Sequence, residues 1–438
     1  MKRRREPETA GILSVTHDGR GIADVPGKKV FVAGALAGET VRFVRRKRRR
    51  NYDEAELVEV LEPSAARIEP RCAVFGRCGG CALMHISHRA QLEIKSQALA
   101  DSLERIGRVT PARWLAPVSG PQWHYRRRAR LAVKDVPGKG RVLVGFRERH
   151  APFVTDMQRC EVLELPAATL IEPLSELIGE LTIRARIPQI EVAAAENALA
   201  LVFRVLDPPA GTDLEALGRF GAEHGCRIYL QPGGNDSVAA LYPAGELEPL
   251  SYTLPAFDLE YRFEPLGFIQ VNAEVNRALV TLAVELLAPG PGDRVLDLYC
   301  GLGNFSLPLA RRAAEVLGVE GEDALVASAR ANAEANGLDN VRFVAADLTR
   351  VDSATGWLAE GWDTVLLDPA RPGAAEVVAA LPATGARRIV YVSCHPGTLA
   401  RDAGRLVADG GYGLSAAGII DMFPHTAHVE SIAVFDKL

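Results

Sequence analysis

The sequence predicts an α/β chain in three parts: a small N-terminal β-barrel, a mixed central region, and a C-terminal doubly wound parallel sheet covered by helices. Three observations predict it. Short apolar runs separated by Gly-rich turns crowd the first sixty residues. Cysteines and Pro/Gly breaks interrupt the middle. From about residue 266, helical stretches alternate with short Val- and Leu-rich runs. A chain of 438 residues suits about three domains, with expected boundaries at 1–63, 64–265 and 266–438.

In the first part, Gly11–Val15, Lys29–Val32, Thr40–Val44 and Ala55–Leu61 read as strands, separated by His17-Asp18-Gly19-Arg20-Gly21 and Pro26-Gly27. Short strands in so little chain favour closure, which removes exposed edges. Arg45–Arg50 is expected to be a loop of six adjacent cations, each able to release counterions at a phosphate. Residues 1–50 hold fourteen Lys or Arg against five Asp or Glu, a net of +9 that leaves −13 on the other 388 residues. A basic head on an acidic body suggests a polyanion-binding module, with a solvated surface as the competing reading.

No apolar run approaches the ~20 residues that span a bilayer. The charged start Met1–Pro7 is followed by no apolar core, unlike a secretory signal. A cytoplasmic protein without a membrane partner is expected. Of seven cysteines, Cys72, Cys78, Cys81, Cys160, Cys226, Cys300 and Cys394, the odd number argues against a disulfide framework. Clustered ones read as metal ligands or nucleophiles. Gln91 to Ile106 reads as a helix, and Arg130–Val133 and Val142–Phe146 as strands of the central region.

In the last part, Arg294–Leu298, Glu315–Glu320, Val341–Val344, Thr364–Asp368 and Arg388–Val392 read as parallel strands. The first runs into Asp297-Leu298-Tyr299-Cys300-Gly301-Leu302-Gly303, where glycines let the backbone approach a ligand. Glu320, at the second strand tip, can accept both hydroxyls of a ribose. Asp347, after the third, can meet an adenine amino group. No phosphate cradle lies nearby, so this set favours S-adenosylmethionine over NAD; helix capping is the competing reading for Glu320 and Asp347. The fourth strand ends in Asp368-Pro369-Ala370-Arg371 and the fifth in Ser393-Cys394-His395-Pro396. There Cys394 can be an exposed, stabilised thiolate or a small core residue. Glu430 is expected just ahead of a final strand, Ile432–Phe435, as either a chemical base or a solvated acid.

These tail motifs, with His428-Val429-Glu430-Ser431 and Gly267-Phe268-Ile269-Gln270-Val271-Asn272, resemble those of the RNA uracil-5-methyltransferases, over essentially the whole chain. The N-terminal barrel looks like that family's TRAM domain, and the chain is most similar to the branch acting on large-subunit (23S) ribosomal RNA. One departure is Ala370, where the family usually carries a second Pro. The resemblance implies a Rossmann-like, S-adenosylmethionine-dependent catalytic domain. It implies Cys394 as the nucleophile that adds to C6 of uracil, and Glu430 as the base that removes the C5 proton. It implies Gln270, Tyr299, Asn304, Glu320, Asp347 and Asp368 as cofactor contacts. It also implies Cys72, Cys78, Cys81 and Cys160 as ligands of a [4Fe–4S] cluster; spacing alone leaves tetrahedral zinc open. Cys226 and Cys300 are expected to pack. The partner expected is 23S ribosomal RNA, with no DNA. The same reaction on transfer RNA, and a binding-only ribosome-assembly protein, are the alternatives. An iron–sulfur radical methylase lacks its Cys-x3-Cys-x2-Cys motif here.

Overall fold

The computed structural model describes residues 6–352 and 355–438, so Met1–Arg5 of the charged start lie outside the described residues. Five strands, β1 (Glu8–Val15), β2 (Arg20–Val25), β3 (Lys28–Ala33), β4 (Thr40–Arg48) and β5 (Tyr52–Glu62), close into a barrel in the order β1-β2-β3-β5-β4. Alternate residues point inward, and Ile12, Ala23, Val30, Val32, Val41, Phe43 and Ala55 fill it. Two expectations need correction. Arg20–Val25 is a full strand; its sequence carries turn residues at both ends, and two of its inward positions, Gly21 and Ala23, are too small to show an apolar alternation. Arg45–Arg48 is not a loop but the end of β4, because β5 offers acids across the ladder. Arg45 pairs with Glu8 and Asp53, Arg46 with Glu56, and Lys47 and Arg49 with Glu54. Buried Glu39 takes Arg67 at 2.5 Å and so ties the barrel to the segment that follows.

That segment, irregular as expected, leads into α1 (His88–Ser102), which ends in a single π-type turn, Leu103–Gly107. After the two-residue strand β6 (Arg113–Trp114) come β7 (Arg128–Val136), β8 (Arg141–Gly145), α2 (Ile171–Glu180), β9 (Gln189–Ala194), β10 (Leu199–Arg204), α3 (Gly211–His224), β11 (Cys226–Gln231) and β12 (Ala239–Tyr242). They build a six-stranded sheet in the order β12-β11-β10-β9-β7-β8. Leu174 of α2 and Leu217 of α3 join its core.

A hairpin, β13 (Leu250–Leu254) and β14 (Leu259–Phe263), precedes α4 (Ala273–Leu287), whose N-terminus Asn272 caps by accepting from the Val275 amide. The rest alternates: β15 (Arg294–Leu298), α5 (Ser306–Ala310), β16 (Glu315–Glu320), α6 (Asp323–Ala335), β17 (Val341–Ala345), β18 (Thr364–Leu367), α7 (Ala375–Ala380), β19 (Arg388–Ser393), α8 (Pro396–Ala408), β20 (Tyr412–Ile420) and β21 (Glu430–Lys437). The sheet order is β17-β16-β15-β18-β19-β21-β20-β6. The pairs from β17 to β19 are parallel, and β21 runs antiparallel between β19 and β20. The strands buried on both faces read as near-continuous Val/Ile/Leu runs, which is why the sequence showed them so clearly. The order reverses between β15 and β18, the place where open α/β sheets bind ligands, outside the strand ends. Segments from earlier in the chain complete this layer. The hairpin's Tyr252 and Tyr261 enter the core on one face, and Leu99 and Leu103 enter it on the other. Among the described residues no helix is long and apolar enough to cross a membrane.

Candidate active site

The turn after β15 needs backbone that side chains resist: Tyr299, Gly301 and Gly303 have φ of +64°, +57° and +93°. Within it the Gly301 amide donates to Glu320 at 3.0 Å, and the Gly321 amide donates to the other oxygen of Glu320 at 2.7 Å. Glu320 therefore clamps two strand tips together. Asp347, exposed after β17, accepts from the amide and hydroxyl of Thr349 at 2.9 and 2.6 Å, which holds its carboxyl below the usual range. The Asn304 amide forms a reciprocal pair with Asn276, 3.0 Å each way, and also accepts from the Tyr252 hydroxyl at 3.0 Å. Gln270 accepts through its backbone carbonyl from Arg127 at 2.7 Å. Asp297, wholly buried, bonds the Ser306 hydroxyl, and burial pushes it up to about 8.

Cys394 follows β19 and Glu430 opens β21; the expected strand, from Ile432, begins two residues too late. The ladder pairs Ser393 with Ser431 and Val392 with Ile432. The next position in that register therefore sets Cys394 opposite Glu430. Asp368, one residue past β18, contributes a third group that the other two feel electrostatically. Burial, reinforced by the Asp368 charge and opposed by Lys95, pushes Glu430 up to about 8. Burial also pushes Asp368 up to about 7. The thiol of Cys394 is raised by burial and then by the Glu430 and Asp368 charges, with Arg371 pulling the other way. Cys394 is half-buried rather than fully exposed. Nor does His395 activate it: its ring caps α8, accepting from the Thr398 amide at 3.2 Å. His428 Nδ1 accepts from Arg371 at 3.0 Å, and burial with the Arg371 charge drives His428 down to about 4.

Cys394, Arg371 and His428 open onto a cleft of about 1340 Å³. Its far wall is the barrel, through Leu13, Val15 and Phe31, and α1 lines it between the two. Arg105 and Arg149 add positive charge that the sequence reading missed.

Cys72, Cys78, Cys81 and Cys160 come together around one small cavity with Phe75, Met84 and Met157. Among the described residues no group of three or more His, Cys, Asp or Glu side chains stands in a metal-holding arrangement. The donor set nevertheless suits a cationic centre. Burial raises all four thiols, Cys160 to about 11, and for Cys81 the charges of the other three add to the effect. Thiolates so close and so dry need a cation to offset them. Cys226 and Cys300 are buried at other places in the fold.

Residues 251–438 match the tRNA (Uracil-5-)-methyltransferase family. The chain is 53% identical over 99% of its length, and 97% of the relative's, to a 23S rRNA (uracil(1939)-C(5))-methyltransferase RlmD of Alkalilimnicola ehrlichii. It belongs to the RNA uracil-C5 methyltransferase family. A second member bearing that name, from Stenotrophomonas maltophilia, is 50% identical over 99% of this chain and 98% of its own. Among solved structures, the Pyrococcus abyssi tRNA (uracil-54, C5)-methyltransferase in complex with S-adenosyl-L-homocysteine superposes with a TM-score of 0.74 at 25% identity. That match covers 97% of this chain and all of the other. Members of the family use S-adenosylmethionine, and the reversal of strand order between β15 and β18 fits that cofactor.

Proposed function

We infer that the protein methylates C5 of a uridine in 23S ribosomal RNA, with S-adenosylmethionine as donor. What supports the reading is the β19–β21 register, which continued by one position sets Cys394 opposite Glu430, together with the opening of Cys394 onto a cleft of about 1340 Å³, where an unstacked base would be met. The cofactor supplies an electrophilic methyl group; Glu320, Asp347, Asp368, Gln270, Tyr299 and Asn304 would hold it. The Cys394 thiol loses its proton to a neighbouring carboxylate and its sulfur bonds to C6 of uracil, which makes C5 nucleophilic. After C5 is methylated, Glu430 takes the C5 proton, and the bond between sulfur and C6 breaks. His428 is poorly placed for that task, because its Nδ1 is already accepting from Arg371. Residues 1–63 act as an RNA-binding barrel and 64–265 as the region holding a [4Fe–4S] cluster, ahead of the methyltransferase domain at 266–438. Cys72, Cys78, Cys81 and Cys160 would hold that cluster, whose role is structural because methyl transfer needs no electrons.

The test is incubation with labelled S-adenosylmethionine and, separately, 23S ribosomal RNA and transfer RNA, followed by nucleoside mass spectrometry. 5-Methyluridine in the ribosomal RNA alone is expected. Label in transfer RNA alone would move the substrate assignment, and label in neither would favour a binding protein.

A further inference from the structure

Helix α1 carries a polar stripe on its buried side. His88, Gln91 and Lys95 recur at spacings of three and four, so they share one face of the helix. That face meets the loop between β20 and β21, more than three hundred residues later in the chain. Lys95 is 1% exposed. Its ammonium donates to Asp421 at 2.6 Å and to the Phe423 carbonyl at 2.9 Å. His88 reaches the second oxygen of Asp421 at 2.8 Å. Gln91 accepts from the His425 amide at 2.8 Å and meets the His425 ring at 3.1 Å. A lysine is almost never buried this deeply unless paired. Burying one to hold a loop is costly when an apolar side chain could fill the same space.

The loop explains the choice. Asp421 directly follows Ile420, and Ile420 is the β20 partner of Glu430. The Lys95–Asp421 pair therefore lies beside the end of the ladder that carries Glu430. Four charged or titratable groups face Glu430: Asp368 beyond β18, Cys394 beyond β19, Asp421 beyond β20 and Lys95 from α1. Lys95 is the cation among them, and its influence on Glu430 exceeds that of Asp421.

We propose that Lys95 is a positioning residue for the proton-abstraction step: anchored on Asp421, it fixes the loop ahead of β21 and sets beside Glu430 a positive charge that favours its carboxylate form in a site that otherwise gathers negative charge. This rests on the reading of Glu430 as the base.

Lys95→Met tests it in the full-length protein. A nearby buried cation commonly moves a carboxyl by a unit or more. Losing it should shift the acid limb of kcat upward by about one pH unit, which is about tenfold in rate at neutral pH. Turnover should recover at alkaline pH, and KM for RNA and for S-adenosylmethionine should stay within about twofold. At neutral pH the methylated covalent adduct should persist longer. The double variant Lys95→Met/Asp421→Asn strands no charge and guards against misfolding; it should keep an upward shift, smaller than that of the single variant. Glu430→Gln is run alongside. If it stalls as an adduct while both Lys95 variants retain the parental pH limb, or lose rate equally at every pH, the proposal fails and the base assignment stands. If Glu430→Gln turns over normally, the base assignment fails and takes the proposal with it.

Discussion

Cys394 and Glu430 lie at adjacent strand ends, yet their replacements should fail at different steps. Cys394→Ala removes the atom that bonds to the base, so methylation should fall at least a thousandfold, while S-adenosylmethionine binding measured by calorimetry stays unchanged. The covalent complex with RNA containing 5-fluorouracil should vanish with it, as read on a denaturing gel. Glu430→Gln leaves attack possible and removes the proton acceptor, so a methylated adduct should build up. Asp297 offers a different measurement. Its folded carboxyl sits near 8 against an ordinary value of 3.8. Folding therefore keeps a proton that the unfolded chain releases, and the stability present below pH 4 is lost as pH rises to 8. Asp297→Asn lacks this term. Its Tm without cofactor should rise relative to the parent between pH 5 and 8, then hold a constant difference; a difference that does not vary with pH would show that Asp297 is ionised in the fold.

At the scale of elements, the barrel's cations are mostly answered by its own acids. Among the described residues, Arg48 and Arg50 are the two of the run for which no ion pair forms, and both are exposed. Replacing both by Ala should lower the slope of log K against log salt by about 0.7 to 0.9 for each phosphate that the variant no longer neutralises. The uridine chosen should not change, since phosphate contacts position and base contacts specify. Identical salt dependence in parent and variant would assign the RNA grip to Arg105 and Arg149 in the cleft instead. How legible each element was follows from the same physics. The β15–β19 runs were readable within a residue or two because burial of most of their positions leaves runs dominated by Val, Ile and Leu. The extent of β4 was hidden, because charges normally mark a loop and only the opposite strand reveals their partners. Cys394 and Glu430 were legible as motifs. Their pairing was not, since it depends on β21 entering between β19 and β20. The stripe of His88, Gln91 and Lys95 was written in the sequence at helical spacing, but its meaning resides in Asp421 and His425, which no local pattern links to it.

For the whole molecule, the cysteine cavity is wired to the catalytic loop. The amides of Ala82 and Leu83, just past Cys81, both donate to the His425 carbonyl, at 2.8 and 2.9 Å, and the Tyr125 hydroxyl reaches the Pro424 carbonyl at 2.9 Å. Cys81→Ser should therefore lower both Tm and kcat. Protein prepared without oxygen should be brown and contain iron with acid-labile sulfide; a colourless preparation with stoichiometric zinc would decide for zinc.

The same connectivity sets an order of events during synthesis. α1 leaves the ribosome early, but the residues it holds, Asp421 and His425, follow it by more than three hundred residues. The strand that carries Glu430 must then slide between two strands already present, closing a very long loop. A chain made only as far as β20 has no assembled base and an unpartnered lysine where the loop belongs. Assembly of the base thus waits for β21, however early the helix that holds its loop is made.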